Sequence, residues 1–220
     1  MDNILEHDTK FMNVVYTAPN RAHHYQYALA MYRAGMLFSF VSGFSRFSPR
    51  ADIHEIGNKL RRVDLGQNIF LASLKFRMPP AVSDYLAYLA KVEQDFACKK
   101  LVKAADVFLF YNGSGLISSK EIKRNGGLAI VEAVNSHVDF QENILSQEYK
   151  ELGLPWRPFH KAEKQRRIEE YERADYILVP SEFARRSFLE YGYAEETLLK
   201  VPYGFDLPAL DDQHEEDNGQ

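Results

Sequence analysis

The sequence has a single cysteine and no long run of apolar residues. Cys98 has no partner within the chain, so an intrachain disulfide is excluded and a reducing compartment fits best. Because Cys98 lies among apolar residues of a predicted helix, we interpret it as inert packing rather than as a reactive thiol. No apolar stretch approaches the roughly 20 residues that a membrane-spanning helix requires.

Several signatures of nucleotide and hydrolytic sites are also missing from the sequence. The segment 112–115 resembles a phosphate cradle only in composition, because neither a Gly-x-Gly-x-x-Gly fingerprint nor a P-loop is present. No Gly-x-Ser-x-Gly elbow indicates a serine hydrolase. The net charge of -4 argues against a nucleic-acid partner. We expect no metal site at His23 and His24, because adjacent residues on a helix point in different directions.

The composition is that of an ordinary globular domain, with 45% hydrophobic and 13% aromatic residues. We assign the domain to residues 11–206. Residues 1–10 form a polar extension without the basic and apolar segments of a signal peptide. Residues 207–220 form an acidic linker or tail, and the expected localisation is cytoplasmic, with membrane association left open.

Short apolar runs alternate with amphipathic stretches along most of the chain. The runs predict strands over 11–18, 37–44, 106–111, 128–134, 176–179 and 198–201. Helices are predicted over 22–34, 79–104, 119–125, 139–152, 161–174 and 182–191, and 45–77 is predicted to be a long loop with a short helix. This alternation indicates an α/β fold, a Rossmann-like three-layer α/β/α domain with a mainly parallel sheet.

Local signals place some of the helix ends and faces. Asp139 followed by Glu142 predicts a capping box, and Ser181 predicts the N-cap of the last helix. In the long helix 79–104, four apolar side chains share one face. They are Val82, Leu86, Leu89 and Phe96.

Ligands of parallel sheets bind at the carboxyl ends of the strands. This rule selects the groups that follow the predicted strands, which are Asn20, Arg21, Asn112, Ser114, Asn135, Ser136, His137, Ser181, Glu182, Tyr203 and Gly204. His137 is the strongest candidate, because an imidazole beside a helix N-terminus can bond a sugar hydroxyl. It can equally cap a turn, and capping alone explains Ser181 and Glu182.

The segments 169–183 and 200–206, with the strand and loop 131–137, resemble the N-terminal domain of family-4 retaining glycosyltransferases. The motifs are Glu-Tyr-Glu-Arg-Ala-Asp-Tyr-Ile-Leu-Val-Pro-Ser-Glu-Phe and Lys-Val-Pro-Tyr-Gly-Phe-Asp. The resemblance covers roughly residues 11–206 and implies one half of a GT-B fold, in which two Rossmann-like domains face each other across a cleft.

The resemblance implies an acceptor-binding half of a hexosyltransferase whose partner is a donor-binding C-terminal domain or subunit. It implies a nucleotide-sugar as co-substrate, a glycan or lipid-linked acceptor, no cofactor and no metal. It makes His137 the catalytic residue in the cleft and brings Asn20 and Arg21 to the acceptor or the diphosphate. The paired glycines often present in that first loop are replaced here by Asn20 and Arg21.

Two hypotheses therefore stand. The first is a glycosyltransferase polypeptide that is inactive or weak as this chain alone, since the groups that position the donor lie elsewhere. The second is a non-catalytic subunit that binds a glycan or a partner. An open polar face around Asn20, His137 and Tyr203 favours the first, and a His137 sealed in the core favours the second.

Overall fold

All strand pairs among the described residues are parallel. The computed structural model of the protein describes residues 12–51 and 54–204. Its strands are β1 Val14–Ala18, β2 Leu37–Ser42, β3 Leu60–Arg62, β4 Val107–Tyr111, β5 Leu128–Glu132, β6 Tyr176–Val179 and β7 Leu198–Lys200. They form one seven-stranded sheet in the order β3-β2-β1-β4-β5-β6-β7. The predicted extension 1–10 and tail 207–220 lie outside the described residues.

Helices connect the strands and cover both faces of the sheet. They are α1 His24–Arg33, α2 Leu65–Lys75, α3 Pro80–Leu101, α4 Leu116–Arg124, α5 Val138–Glu151, α6 Lys161–Arg173 and α7 Glu182–Glu190. Successive strand residues point to opposite faces. Val15 accordingly belongs to one apolar core and Tyr16 to a second one. The three-layer α/β/α prediction is confirmed.

The segment 45–77 differs most from its prediction. It contains the edge strand β3 and the eleven-residue helix α2 where a long loop with a short helix was expected. A three-residue strand is too short to show an alternating pattern, and much of the apolar surface of α2 is exposed, including Leu65 and Ile69. Neither element therefore carries the burial periodicity from which sequence reasoning works.

The helix α3 turns its apolar stripe away from the sheet. Phe96 is exposed, whereas Asp95 is fully buried and accepts hydrogen bonds from the backbone N–H groups of Ile117 and Ser118. The same helix buries Cys98, and burial raises the pKa of that thiol, as expected of a packing residue.

The predicted capping box at Asp139 and Glu142 is wrong. The helix α5 begins one residue before Asp139, and His137 is its N-cap, with Nδ1 accepting a 3.3 Å hydrogen bond from Asp139 N–H. Glu142 instead accepts a 2.8 Å hydrogen bond from Phe159 N–H and pairs with Lys164. Because these tertiary contacts occupy the Glu142 carboxylate, it does not form a capping box.

Other predicted ends are confirmed. Ser181 Oγ accepts from Ala184 N–H at 3.1 Å and begins α7. The predicted helices 22–34 and 182–191 are followed directly by Gly35 and Gly192, which have φ of 72° and 84°, in the left-handed region that glycine adopts readily. None of the helices in residues 12–51 and 54–204 is long and apolar enough to cross a bilayer.

Candidate functional site

A buried cluster joins the middle of β1, the start of α1 and the end of β5 near the carboxyl edge of the sheet. Glu132, the last residue of β5, is 2% exposed. Its Oε1 contacts His23 Nε2, and its Oε2 accepts a 2.8 Å hydrogen bond from the Tyr16 hydroxyl. His24 Nδ1 lies 3.2 Å from the same Oε2. Three side chains therefore meet at one carboxylate.

The cluster holds Glu132 as an anion. Burial raises the pKa of Glu132, but hydrogen bonds from His23, His24 and Tyr16 outweigh it and lower that pKa to about 2. The Tyr16 hydroxyl donates to the carboxylate, so it accepts the 2.6 Å hydrogen bond from His24 Nδ1. Nδ1 is thus the protonated ring nitrogen of His24.

Both imidazoles reach the same carboxylate, and the expectation that they point in different directions is wrong. His23 is the N-cap of α1 rather than an interior helical residue, and Ala22 before it has φ of 24°. A positive φ at a non-glycine residue is strained and is common at functional sites. The centroids of the His23 and His24 rings are 4.1 Å apart.

An open groove of about 570 Å³ adjoins this cluster. Its lining includes His23, Tyr27, Arg33 and Gly204. The ring of Tyr203 lies 4.1 Å from that of His23, centroid to centroid. Because Nε2 of His23 faces Glu132, Nδ1 is the ring nitrogen without a protein partner among residues 12–51 and 54–204. The groove therefore contains one imidazole whose tautomer a carboxylate fixes.

The cluster also has the composition of a metal site. Ligand atoms of His23, His24 and Glu132 all lie within 4.8 Å of one another. Two imidazoles and a carboxylate are a donor set that Zn²⁺ accepts. In the present arrangement the same atoms bond one another, with Tyr16 as a further partner, so the groups satisfy each other without an ion.

His137 is buried and does not open on a cleft, contrary to what the resemblance implies. The residue is 2% exposed, and its ring stacks on Tyr191 with centroids 4.3 Å apart. Phe188 and Tyr171 also pack against it, at 5.3 and 5.4 Å. Burial lowers the pKa of His137 to about 4, so the ring is neutral. The ring therefore faces aromatic side chains of the protein rather than solvent.

The segment 112–115 is filled by a side chain of the protein itself. The carboxylate of Glu170 accepts hydrogen bonds from the N–H groups of Gly113 and Gly115 and from Asn112 Nδ2. Burial raises the pKa of Glu170 to about 7, against the opposing effect of Arg166 and these N–H groups. Ser114 is fully buried. A phosphate cannot use this turn while Glu170 occupies it.

The remaining predicted residues divide between two regions. Arg21 turns away from Glu132: its guanidinium contacts the Arg50 carbonyl and lies 4.7 Å from the ring centroid of Tyr25. Asn20 is exposed on the same loop. Tyr203 and Gly204, in contrast, adjoin the His23 cluster, and the Tyr203 hydroxyl donates to the Val134 carbonyl at 3.3 Å.

A second depression of about 270 Å³ collects the residues predicted after β5 and β6. Asn135, Ser136 and Ser181 line it. Asn112, Asn135 and Ser136 also line a smaller cavity beside Arg167. Glu182 instead forms ion pairs with Lys200 at 3.2 Å and with Arg185 at 3.3 Å. Its carboxylate therefore ties α7 to β7.

Sequence reasoning missed Glu132, His24 and Tyr16. One signal was available, because Glu132 is a charged residue at the end of the otherwise apolar run Leu128–Glu132. The rule applied to the sequence selected groups after the strands, and Glu132 is the last residue within one. Nothing local connects it to Tyr16, which is 116 positions away.

No family model and no curated protein matches the chain. Among solved structures, it is similar to a UDP-N-acetylglucosamine 2-epimerase, with a TM-score of 0.50, 11% identity and coverage of 92% of this chain and 54% of that one. A UDP-glucosyltransferase from Polygonum tinctorium that glucosylates indoxyl has a TM-score of 0.50, 12% identity and coverage of 90% and 54%. The chain thus spans about half the length of these structures and shares the GT-B type of α/β fold.

Proposed function

We propose that the chain is the acceptor-binding half of a glycosyltransferase that uses a nucleotide-sugar, with UDP as the carrier. The observation that carries this proposal is the contact between His23 and Glu132 at an open groove. Support also comes from the two similar structures, which are a UDP-N-acetylglucosamine 2-epimerase and a UDP-glucosyltransferase. A donor-binding domain or subunit and a glycan or lipid-linked acceptor complete the proposal.

His23 acts as the general base in this proposal. Glu132 accepts from Nε2–H and leaves the lone pair of Nδ1 free to take the proton of an acceptor hydroxyl. The acceptor oxygen then bonds to the anomeric carbon as the bond to the diphosphate oxygen breaks, and the nucleoside diphosphate leaves. Glu132 stabilises the imidazolium that forms.

A base at the acceptor supports direct displacement, which inverts the anomeric configuration. We therefore propose inversion in place of the retention that the family-4 resemblance implies. Neither path uses a metal or a cofactor in this proposal. His23 and Glu132 replace His137 as the groups that carry the chemistry.

A transfer assay with UDP-sugars tests the proposal, run on this chain alone and after addition of a donor-binding half. We expect transfer only in the combined reaction, with an inverted product by NMR. His23→Gln should lower turnover by a factor of about 10² to 10⁴, the usual contribution of a general base. His160→Gln is the matched control, since it alters a histidine away from Glu132. Equal turnover of both variants would exclude His23 as the base.

The alternative is a non-catalytic subunit that binds a glycan or a partner, and one observation favours it. A buried His137 favours this hypothesis over the first, and His137 is enclosed by aromatic rings. A chain that binds glycans with unchanged affinity after His23→Gln, and shows no transfer with any donor half, would be such a subunit.

A further inference from the structure

The helices α2 and α3 form an antiparallel hairpin. Near its base, Gly66 N–H donates a 2.7 Å hydrogen bond to Glu93 Oε2, and a Cβ atom added to Gly66 would lie 2.8 Å from Ala90 Cα. Further along, Ser73 Oγ donates to Ser83 Oγ at 2.9 Å. The two helices thus run side by side toward the connection 76–79.

The hairpin projects beyond the carboxyl edge of the sheet. Lys91 Nζ lies 5.7 Å from the ring centroid of Tyr111, the last residue of β4, so this part of α3 is level with that edge. Cys98 and Val102, farther along the chain, pack in the core below it. Pro80 lies eleven positions before Lys91, so the helix extends about 16 Å past the edge, at 1.5 Å per residue.

The tip of the hairpin, residues 74–82, is exposed throughout. Leu74, Phe76 and Met78 are 51%, 75% and 44% exposed. Lys75 and Arg77 alternate with them, are exposed, and form no ion pair within the described part of the chain. The nearest carboxylate on α3, that of Asp84, is paired with Arg157. The tip is therefore apolar and positively charged.

We propose that this tip docks on a membrane surface that contains anionic lipids. Exposed aromatic and aliphatic side chains enter the boundary between headgroups and acyl chains, and flanking cations bind anionic headgroups. The overall charge of -4 means that the attraction comes from Lys75 and Arg77 rather than from the whole protein. A symmetric contact with a second copy would bring these cations together, so charge favours lipid over self-association.

Docking at the tip would fix how the groove beside His23 is oriented relative to the bilayer. The groove beside His23 lies at the same carboxyl edge from which the hairpin projects. The hairpin and the groove lie on opposite faces of the sheet at this edge, because α3 packs in the core that contains Val15 and α1 in the core that contains Tyr16. The inference stands on the hairpin alone and does not depend on the role of His23.

Flotation of the full chain with vesicles tests it. One set contains equal amounts of phosphatidylglycerol and phosphatidylcholine, and the other contains phosphatidylcholine alone. We expect binding to the anionic vesicles that weakens with salt, and at least tenfold weaker binding to the neutral ones. The double variants Lys75→Glu/Arg77→Glu and Phe76→Ser/Met78→Ser should each lower binding to the anionic vesicles at least tenfold.

Two control variants on the same helix match these changes. Phe96→Ser removes an exposed aromatic residue, and Lys99→Glu/Lys100→Glu reverses two exposed cations at the opposite end of α3. Both should bind within twofold of the wild type, and circular dichroism should show all the variants folded. No binding to anionic vesicles, or equal losses in the tip and control variants, would overturn the proposal. So would a concentration-dependent dimer that the tip variants abolish without lipid.

Discussion

The hydroxyl of Tyr16 donates a 2.8 Å hydrogen bond to Oε2 of Glu132, a residue 116 positions later in the chain. Tyr16 lies in the middle of β1 and Glu132 ends β5, with β4 between the two strands in the sheet. Both groups are buried, so the bond forms in a region of low dielectric where it is stronger than in water. It fixes one oxygen of the carboxylate, and His23 contacts the other.

Replacement of Glu132 by glutamine should change the tautomer of His23. A neutral amide accepts a weaker hydrogen bond from Nε2–H than the carboxylate does. The tautomer with an unprotonated Nδ1 is then less strongly favoured. We expect the ¹⁵N chemical shifts of the His23 ring to move toward a tautomer mixture. Turnover with a donor half should fall by a factor of about 10² to 10⁴. Glu132→Asp, which keeps the charge, should retain more activity. An unchanged ring spectrum in Glu132→Gln would contradict the assignment.

The buried ring of His137 should make stability depend on pH. Its pKa is about 4 in the folded protein, against 6.5 for the ordinary group, because burial disfavours the charged ring. The unfolded chain therefore binds the proton first, and stability is lost as the pH falls from 6.5 through 4. This amounts to roughly 2 kcal/mol between pH 7 and pH 5.

Urea unfolding of the wild type and of His137→Asn measures this dependence. Asparagine can also cap α5, but it does not titrate. The difference between the two proteins isolates His137, because the other groups titrate in both. A difference that stays constant between pH 7 and pH 5 would show that the ring protonates without cost.

Gly43 should tolerate no side chain while Gln94 keeps its position. A Cβ atom at Gly43 would lie 1.6 Å from Gln94 Nε2 and 3.0 Å from the Pro19 carbonyl oxygen. We expect Gly43→Ala to cost about 1 to 3 kcal/mol of unfolding free energy, the usual range for overpacking. Gly204→Ala is the control, because no atom of residues 12–51 and 54–204 lies within 4 Å of an added Cβ there.

The double variant Gly43→Ala/Gln94→Ala should lose less unfolding free energy than the two single variants lose together, by at least about 1 kcal/mol. The reason is that removal of the amide makes room for the new methyl group. Chemical denaturation of all four proteins gives this coupling. Additive effects would show that the backbone of Pro19, and not Gln94, limits the space.

Removal of the Glu170 carboxylate should open an anion site. Glu170→Ala leaves the N–H groups of Gly113 and Gly115 without their acceptor. It also removes one of the two carboxylates beside Arg166, whose pair with Asp95 remains. A buried N–H group left without an acceptor costs about 1 to 3 kcal/mol. We expect a lower melting temperature that sulfate restores in part. The increase in melting temperature that sulfate causes is measured against chloride at equal ionic strength. This increase should be larger in the variant than in the wild type. Equal rises would exclude binding in the turn.

Much of the fold follows from local patterns in the chain. The run Tyr176–Val179 is predicted as a strand with the ends that the structure has, and Ser181 and Gly192 mark the limits of α7 correctly. These signals are local, since apolar periodicity, a capping hydroxyl and a glycine in the left-handed region act within a few residues. The short strand β3 and the exposed helix α2 lack such signals, so both were missed.

The sequence by itself determined most of the strands and helices, the parallel direction of the strands and the edge at which polar groups gather. It did not determine which histidine faces a groove, because His23, His24 and His137 all follow strands in the chain. The tertiary structure decided that Glu132 draws the first two together and that aromatic rings enclose the third. Contacts between residues about a hundred positions apart depend on how the strands are arranged side by side, which no local pattern encodes.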